Sequence, residues 1–278
     1  MTNWPASTPL RVAEEAARAG GKAVLRHLHD ADLQVAYKDG RANIVTIADT
    51  ESQRAVFRVI AGAFPDHAII GEEGTWGGTG PDTGTDTDTD TAHAWYVDPL
   101  DGTTNYAHGL PFFCVSVALR SHGSTVAGAV FDPLHDELYS AARSEGAFVN
   151  GTPLRASAVT RLDRALVVAQ AQTVDDGEIR AYAALVGRLM RVAGGVRSLG
   201  SPALALCFIA AGRLEAYCEY AMDAWDILAG QLILQEAGGR LTTFAGRPQA
   251  TADRADIVAS NGHIHDELIN ALKGLPSP

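Results

Sequence analysis

What this chain lacks narrows its function before any motif is read. Only three cysteines occur in 278 residues, Cys114, Cys207 and Cys218, far apart and set in apolar runs. They fit small core residues better than a disulfide framework or a thiolate metal site. No stretch approaches the roughly 20 unbroken apolar residues of a membrane span. The opening M-T-N-W-P-A-S-T has neither the basic nor the apolar segment of a secretory signal. The expectation is a soluble, cytoplasmic protein without a membrane partner. None of the nine histidines stands four residues from another, and His27/His29 and His263/His265 would point apart on a helix, which speaks against zinc. Basic residues are outnumbered 22 to 33, for a net charge of −11, and no basic patch stands out. That argues against direct nucleic-acid binding. The chain has no G-x-x-x-x-G-K-[S/T], and the glycines from Gly74 to Gly80 do not open a helix, so a nucleotide-binding module is a poor reading.

What is present, at 46% hydrophobic residues, suffices for one bilobed domain or two small ones. The stretch with the clearest chemistry runs from Trp95 to His108, W-Y-V-D-P-L-D-G-T-T-N-Y-A-H. Trp95, Tyr96 and Val97 suit a buried strand, Pro99 and Gly102 a sharp change of direction, and Thr103 onward a helix start. Asp98 and Asp101 then sit between a strand end and a helix N-terminus. Either acid could simply cap that helix. Alternatively, the pair takes a cation while the free N–H groups of Gly102, Thr103 and Thr104 take an anion, and a divalent metal next to a phosphate satisfies both.

Around this stretch the periodicity changes once. Thr8 and Pro9 read as cap and first residue of a helix with Leu10, Ala13, Ala17, Gly20, Val24 and Leu28 on one face. The polar span 30–43 reads as a hairpin or mobile loop. Asp49 stands at the N-cap of a second helix with Val56, Val59, Ile60 and Ala63 inward, closed by Pro65. Ala68 to Ile70 is a short strand ending at Gly71-Glu72-Glu73. The Gly/Thr/Asp tract from Trp76 to His93, which includes Asp82, Asp86, Asp88 and Asp90, reads as a flexible surface loop without the Gly and Glu of a calcium loop. Short strands from 111 to 150, with Asn150-Gly151 as a hairpin turn, make an antiparallel sheet covered by the first two helices. Beyond Arg155 to Asp163 strands and helices alternate, which implies an α/β half with a mixed sheet. The fold class expected is α+β / α/β, with an N-terminal half at 1–155 and a C-terminal half at 156–278.

D-P-L-D-G-T-T-N after W-Y-V, with Gly71-Glu72-Glu73 upstream and Ala224-Trp225-Asp226 downstream, resembles the inositol monophosphatase family of lithium-sensitive, metal-dependent phosphatases, from about Leu10 to Leu272. The resemblance implies a layered α-β-α-β-α sandwich and hydrolysis of a phosphate monoester at two or three Mg²⁺, with Mn²⁺ a substitute. It implies a first metal on Glu72, Asp98 and the Leu100 carbonyl, and a second on Asp98, Asp101 and Asp226. Thr103 and Asp49 would align the attacking water, and Gly102 and Thr103 would meet the phosphate. Lys38, in the spacing K-x-x-x-x-x-x-V-T-x-x-D, would stand at the site edge, and Glu73 beside it. All-oxygen ligands suit Mg²⁺ on chemical grounds as well. Glu219, seven positions before Asp226, holds the place of the acid in inositol-type members, and together with Asp101 and Asp226 would bind substrate. As a strand residue it otherwise reads as exposed rim. Asp223 and Pro202 depart from the common pattern. Inositol monophosphate is the preferred substrate; histidinol phosphate, another sugar phosphate or a secondary-metabolite phosphate are the alternatives. A homodimer is expected by analogy, and an interaction protein for the transcription machinery is the reading from another class.

Overall fold

Apolar residues at every third or fourth position draw the first two helices onto a sheet. The computed structural model describes residues 7–38, 43–77, 80–81, 92–248 and 255–276. Helix α1 (Ser7–His27) buries Val12, Ala13, Ala16, Ala17 and Val24. It begins at Ser7, so Thr8 and Pro9 lie inside its first turn and do not cap it; proline is tolerated there because the N–H has no partner in the helix. A separate hairpin of β1 (Ala36–Tyr37) and β2 (Ile44–Val45) follows, as the polar span suggested, its turn lying outside the described residues. Helix α2 (Ile47–Ala63) buries Val56, Phe57 and Ile60, while Ala63, expected inward, is exposed at the last turn.

The sheet beneath is wider than the sequence indicated. Its strands are β3 (Ala68–Gly71), β4 (Gly74–Gly77), β5 (Gly80–Pro81), β6 (His93–Asp101), β7 (Cys114–Ser121), β8 (Ser124–Asp132), β9 (Glu137–Ala142), β10 (Ala147–Val149) and β11 (Thr152–Pro153). They lie in the order β11-β10-β9-β8-β7-β6-β3-β4-β5. β4 and β5 occupy part of the tract read as loop, and residues 82–91 of that tract lie outside the described residues. The sheet is mixed: β3 pairs with β6 in parallel and the other pairs are antiparallel. β6 lies on the other side of β3 from β4, and among the described residues its pairing with β3 is the one parallel pair of this sheet.

A second correction concerns β6. Pro99 does not end it; the strand runs on to Asp101, with a register shift against β7 between Asp98 and Asp101, because proline has no N–H to give the ladder. The change of direction comes at Gly102, whose φ of 94° favours glycine, and the five-residue helix α3 (Thr103–Ala107) follows.

The rest of the chain forms β12 (Leu166–Ala169), α4 (Asp176–Val192), β13 (Gly195–Arg197), α5 (Pro202–Ala210), β14 (Ala216–Met222), α6 (Ala224–Glu236), β15 (Arg240–Thr242), β16 (Ala255–Ser260) and α7 (His265–Leu272). The second sheet has the order β13-β12-β14-β16-β15, with β12 parallel to both neighbours. Helices α5 and α6 are apolar almost all round because they are the middle layer. One apolar cluster runs from Val130 and Tyr139 of the first sheet through Leu204, Ile227 and Ile233 to Tyr217 and Ile257 of the second. Helices α4 and α7 cover the outer face of the second sheet through Leu185, Leu189 and Leu268. The layers are therefore α-β-α-β-α. Among the described residues no helix is long and apolar enough to cross a membrane.

Helix α6 approaches β8 closely at Gly128, where a Cβ would come within 3.0 Å of the Ala229 Cα. Gly128→Val forces the helix off the sheet, with an expected loss of about 1–3 kcal/mol in urea unfolding. An unchanged midpoint would show that this contact does not set the layer spacing.

Candidate active site

The parallel pairing of β3 with β6 sets Gly71 opposite Val97. The Glu72 N–H donates to the Val97 carbonyl at 3.1 Å, which brings Glu72 beside Asp98. Gln53 of α2 pins the turn after Glu72 by accepting the Glu73 N–H at 3.1 Å. Ser52 Oγ, one residue earlier, donates to the Pro99 carbonyl at 2.6 Å, and the Leu100 N–H donates to Asp98 Oδ1 at 2.9 Å. The irregular end of β6 is thus fixed from the helix above and from within its own loop.

The other half reaches the same place through two helix starts. Asp226 is the third residue of α6, and its Oδ2 accepts the Asp223 N–H at 3.1 Å. Asp101 Oδ2 accepts Ser201 Oγ at 2.6 Å and the Ala203 N–H at 2.7 Å, both from the start of α5, with Cys114 Sγ at 3.5 Å. Ser116 Oγ of β7 donates to the Trp225 carbonyl at 3.1 Å and ties α6 to the first sheet.

Asp49 does not cap α2. Thr46 does, and Asp49 is the reciprocal member of its capping box: Asp49 Oδ2 accepts the Thr46 N–H at 2.8 Å and Thr46 Oγ1 at 2.6 Å. Its Oδ1 faces Thr103 Oγ1 at 2.9 Å, and that hydroxyl lies equally close to the Leu100 carbonyl. Its single proton can go to only one of them. Asp49 is fully buried, and burial lifts its carboxyl to about 6 against the bonds from Thr46 and Thr103.

These elements surround a cavity of about 300 Å³ bordered by Lys38, Glu72, Asp98, Leu100, Asp101, Gly102, Thr103, Glu219 and Asp226. Asp49 and Glu73, also singled out in the sequence, stand behind that wall. Burial, then Glu72, Asp101 and Asp226, hold the Asp98 carboxyl well above the ordinary range. Burial lifts Asp101 to about 7, and burial with Glu72 and Asp101 lifts Asp226 strongly. Among the described residues Lys38 is the cation on this wall, bonding Glu72 at 2.9 Å and also Glu73. Burial acts against its charge, but the two acids push it up to about 12. Glu219 is not exposed rim: it is 4% exposed, receives the Tyr217 hydroxyl, and burial lifts it to about 7.

The model of the inositol monophosphatase family matches residues 6–277. The chain belongs to that family. Inositol monophosphatase 2 of Solanum lycopersicum is 41% identical, covering 94% of this chain and 96% of its own. Nus factor SuhB of Escherichia coli K12 is 35% identical, covering 95% and 98%. The solved inositol monophosphatase of Anabaena superposes with a TM-score of 0.81 at 36% identity, covering 97% of both chains. As a member of the inositol monophosphatase family the protein is a phosphatase, acting on phosphate monoesters.

For this phosphatase the donor set fits a hard divalent cation, since it offers carboxylates and one carbonyl and no histidine or thiolate. Among the described residues no three such side chains are gathered closely enough to hold a metal as they stand. Each acid is held by its own partner: Glu72 by Lys38, Asp98 by Leu100, Asp101 by Ser201 and Ala203, Asp226 by Asp223. Among the described residues these bonds engage one of the two oxygens of each acid.

Sequence reading missed Thr46, Ser52, Gln53, Gln170, Ser201 and Tyr217. The capping box was visible in the T-x-x-D spacing from Thr46 to Asp49. Tyr217 stands two residues before Glu219 on the same strand face, a spacing the sequence shows; the others are joined to the site by long-range contacts that leave no local pattern. Thr46→Val removes the bonds to Asp49 and to the Ala48 N–H, so urea unfolding should show a loss of about 1 kcal/mol that Thr46→Ser largely avoids. Equal stability of the two variants would contradict this role.

Proposed function

We propose that the cavity hydrolyses inositol monophosphate to inositol and phosphate with two or three Mg²⁺, Mn²⁺ being a substitute. The observation that carries this reading is the convergence of Glu72, Asp98, Asp101 and Asp226 on one cavity, where burial and the neighbouring acids disfavour the charged forms of the three aspartates. Glu72, Asp98 and the Leu100 carbonyl would hold one ion, and Asp98, Asp101 and Asp226 another. Bound there, such ions supply an activated water and neutralise the phosphoryl oxygens. The chain's own part is positional. Thr103 Oγ1, 2.9 Å from Asp49 Oδ1, receives the proton of the attacking water as its own passes to Asp49. The N–H groups of Gly102 and Thr103 face the phosphate, and Lys38 stands at the site edge with Glu73 paired to it from behind the wall. Glu219, Asp101 and Asp226 accept hydrogen bonds from the hydroxyls of the departing polyol. The inositol-named relatives support this substrate over histidinol phosphate, other sugar phosphates and secondary-metabolite phosphates. On the same family grounds the protein is a cytoplasmic homodimer and is inhibited by Li⁺.

Asp98→Asn should lower kcat/KM at saturating Mg²⁺ by more than about 100-fold, beyond what residues supporting a ligand contribute. Near-normal turnover would overturn the assignment. In a panel of these esters, inositol monophosphate should show the highest kcat/KM with Mg²⁺ and lose it with Li⁺; preference for another ester replaces the substrate.

The Nus factor relatives favour a second reading, in which the chain also binds transcription machinery. Pull-down with wild type and Asp98→Asn separates the roles: equal capture marks a binding function independent of catalysis, and no capture removes it.

A further inference from the structure

One buried amide on the cavity wall is engaged at both ends, and the proposed chemistry makes no use of it. Gln170 follows β12 and is 7% exposed. Its Oε1 accepts the Gly200 N–H at 2.8 Å, which fixes the orientation of the amide, so Nε2 is the atom that donates to Glu219. Gly200 lies in the segment that leads into α5. From the first sheet's side, Asn105 Nδ2 donates to the neighbouring Leu199 carbonyl at 2.7 Å. Gly200 has a φ of 78°, and a Cβ there would meet Asn105 Nδ2 at 2.9 Å, so the position requires glycine, and the bonds from Gln170 and Asn105 hold the segment. Next along it, Ser201 Oγ and the Ala203 N–H grip Asp101 Oδ2. Gln170 therefore links the carboxylate of Glu219, on β14, to the segment that fixes Asp101, at the end of β6.

We propose that Gln170 is a positioning residue for substrate specificity: its amide holds Glu219 in register with Asp101, so that polyol hydroxyls are gripped while the phosphate lies at the acids. The proposal rests on Glu219 as the polyol contact. Tyr217 alone would leave a buried carboxylate with a single side-chain donor and freer to turn from the cavity. With the amide in place the carboxylate is held by two donors, and the link through Gly200 makes the two substrate-facing acids move together.

Gln170→Glu keeps an acceptor for the Gly200 N–H but loses the donor toward Glu219 and sets a second carboxylate against it. For the polyol monophosphate turned over best, KM should rise about tenfold with kcat nearly unchanged, the cost of one charge-assisted hydrogen bond. For p-nitrophenyl phosphate, which has no polyol, KM should stay the same. Adding Glu219→Gln exchanges amide and carboxylate and restores a bond between the two positions, so the double variant should match Glu219→Gln alone. Multiplying effects, or an equal KM rise on both esters, would overturn the proposal. Should the charged variant not fold, Gln170→Met gives the same KM contrast. Independently of activity, deuterium exchange at the Gly200 amide should quicken in Gln170→Met and not in Gln170→Glu; equal rates would remove the anchor. A wild type that prefers no polyol ester refutes the substrate reading, whereas multiplying effects in an enzyme that does prefer one refute only Gln170.

Discussion

Burying like charges beside one another is the constraint on which this structure depends. Glu72, Asp98, Asp101 and Asp226 come from the first sheet and the middle helices, and the three aspartates are disfavoured in their charged forms by burial and by neighbouring acids. A chain folding by hydrophobic burial alone would keep such groups apart. Here the backbone forces them together: parallel pairing of β3 with β6 brings Glu72 level with Asp98, and the irregular stretch at Pro99 adds Asp101. The middle helix layer, held at β8 by the absence of a side chain at Gly128, delivers Asp226 from the opposite side. The apolar layers fix geometry to which the polar site must conform.

That division explains what could be read from the sequence. The helices and most strands announce themselves through local periodicity, and W-Y-V followed by two acids marks β6 without reference to anything distant. The candidate acids were legible through the resemblance of three short motifs, each standing at the end of a recognisable element. Errors arose where two elements meet. Pro99 reads as a breaker, yet Ser52 from α2 takes its carbonyl and the strand continues. The alternative of an exposed rim for Glu219 could be set aside only from the fold, which buries it and brings Gln170 to it. β4 and β5 escaped notice because glycine-rich strands carry little signal of their own. Ser201 and Gln170 are separated from Asp101 and Glu219 by long stretches of chain, and no spacing rule connects them.

Asp49 and Asp226 share a solution to holding an acid at a charged site. Both are the third residue of a helix, and both accept the backbone N–H of the residue before it with Oδ2. The cap itself is worth only about 1 kcal/mol, little against the cost of burying a carboxylate. Its greater effect is directional. One oxygen is tied to the start of a helix that is in turn packed in the core, so the other has a fixed bearing, toward Thr103 for Asp49. Asp101 reaches the same condition by another route, with Oδ2 taken by the start of α5. Helix starts thereby convert the rigidity of the apolar layers into the placement of single oxygen atoms. A loop acid of equal charge would lack that leverage, and the one on a turn, Glu72, is instead steadied by the Lys38 ammonium.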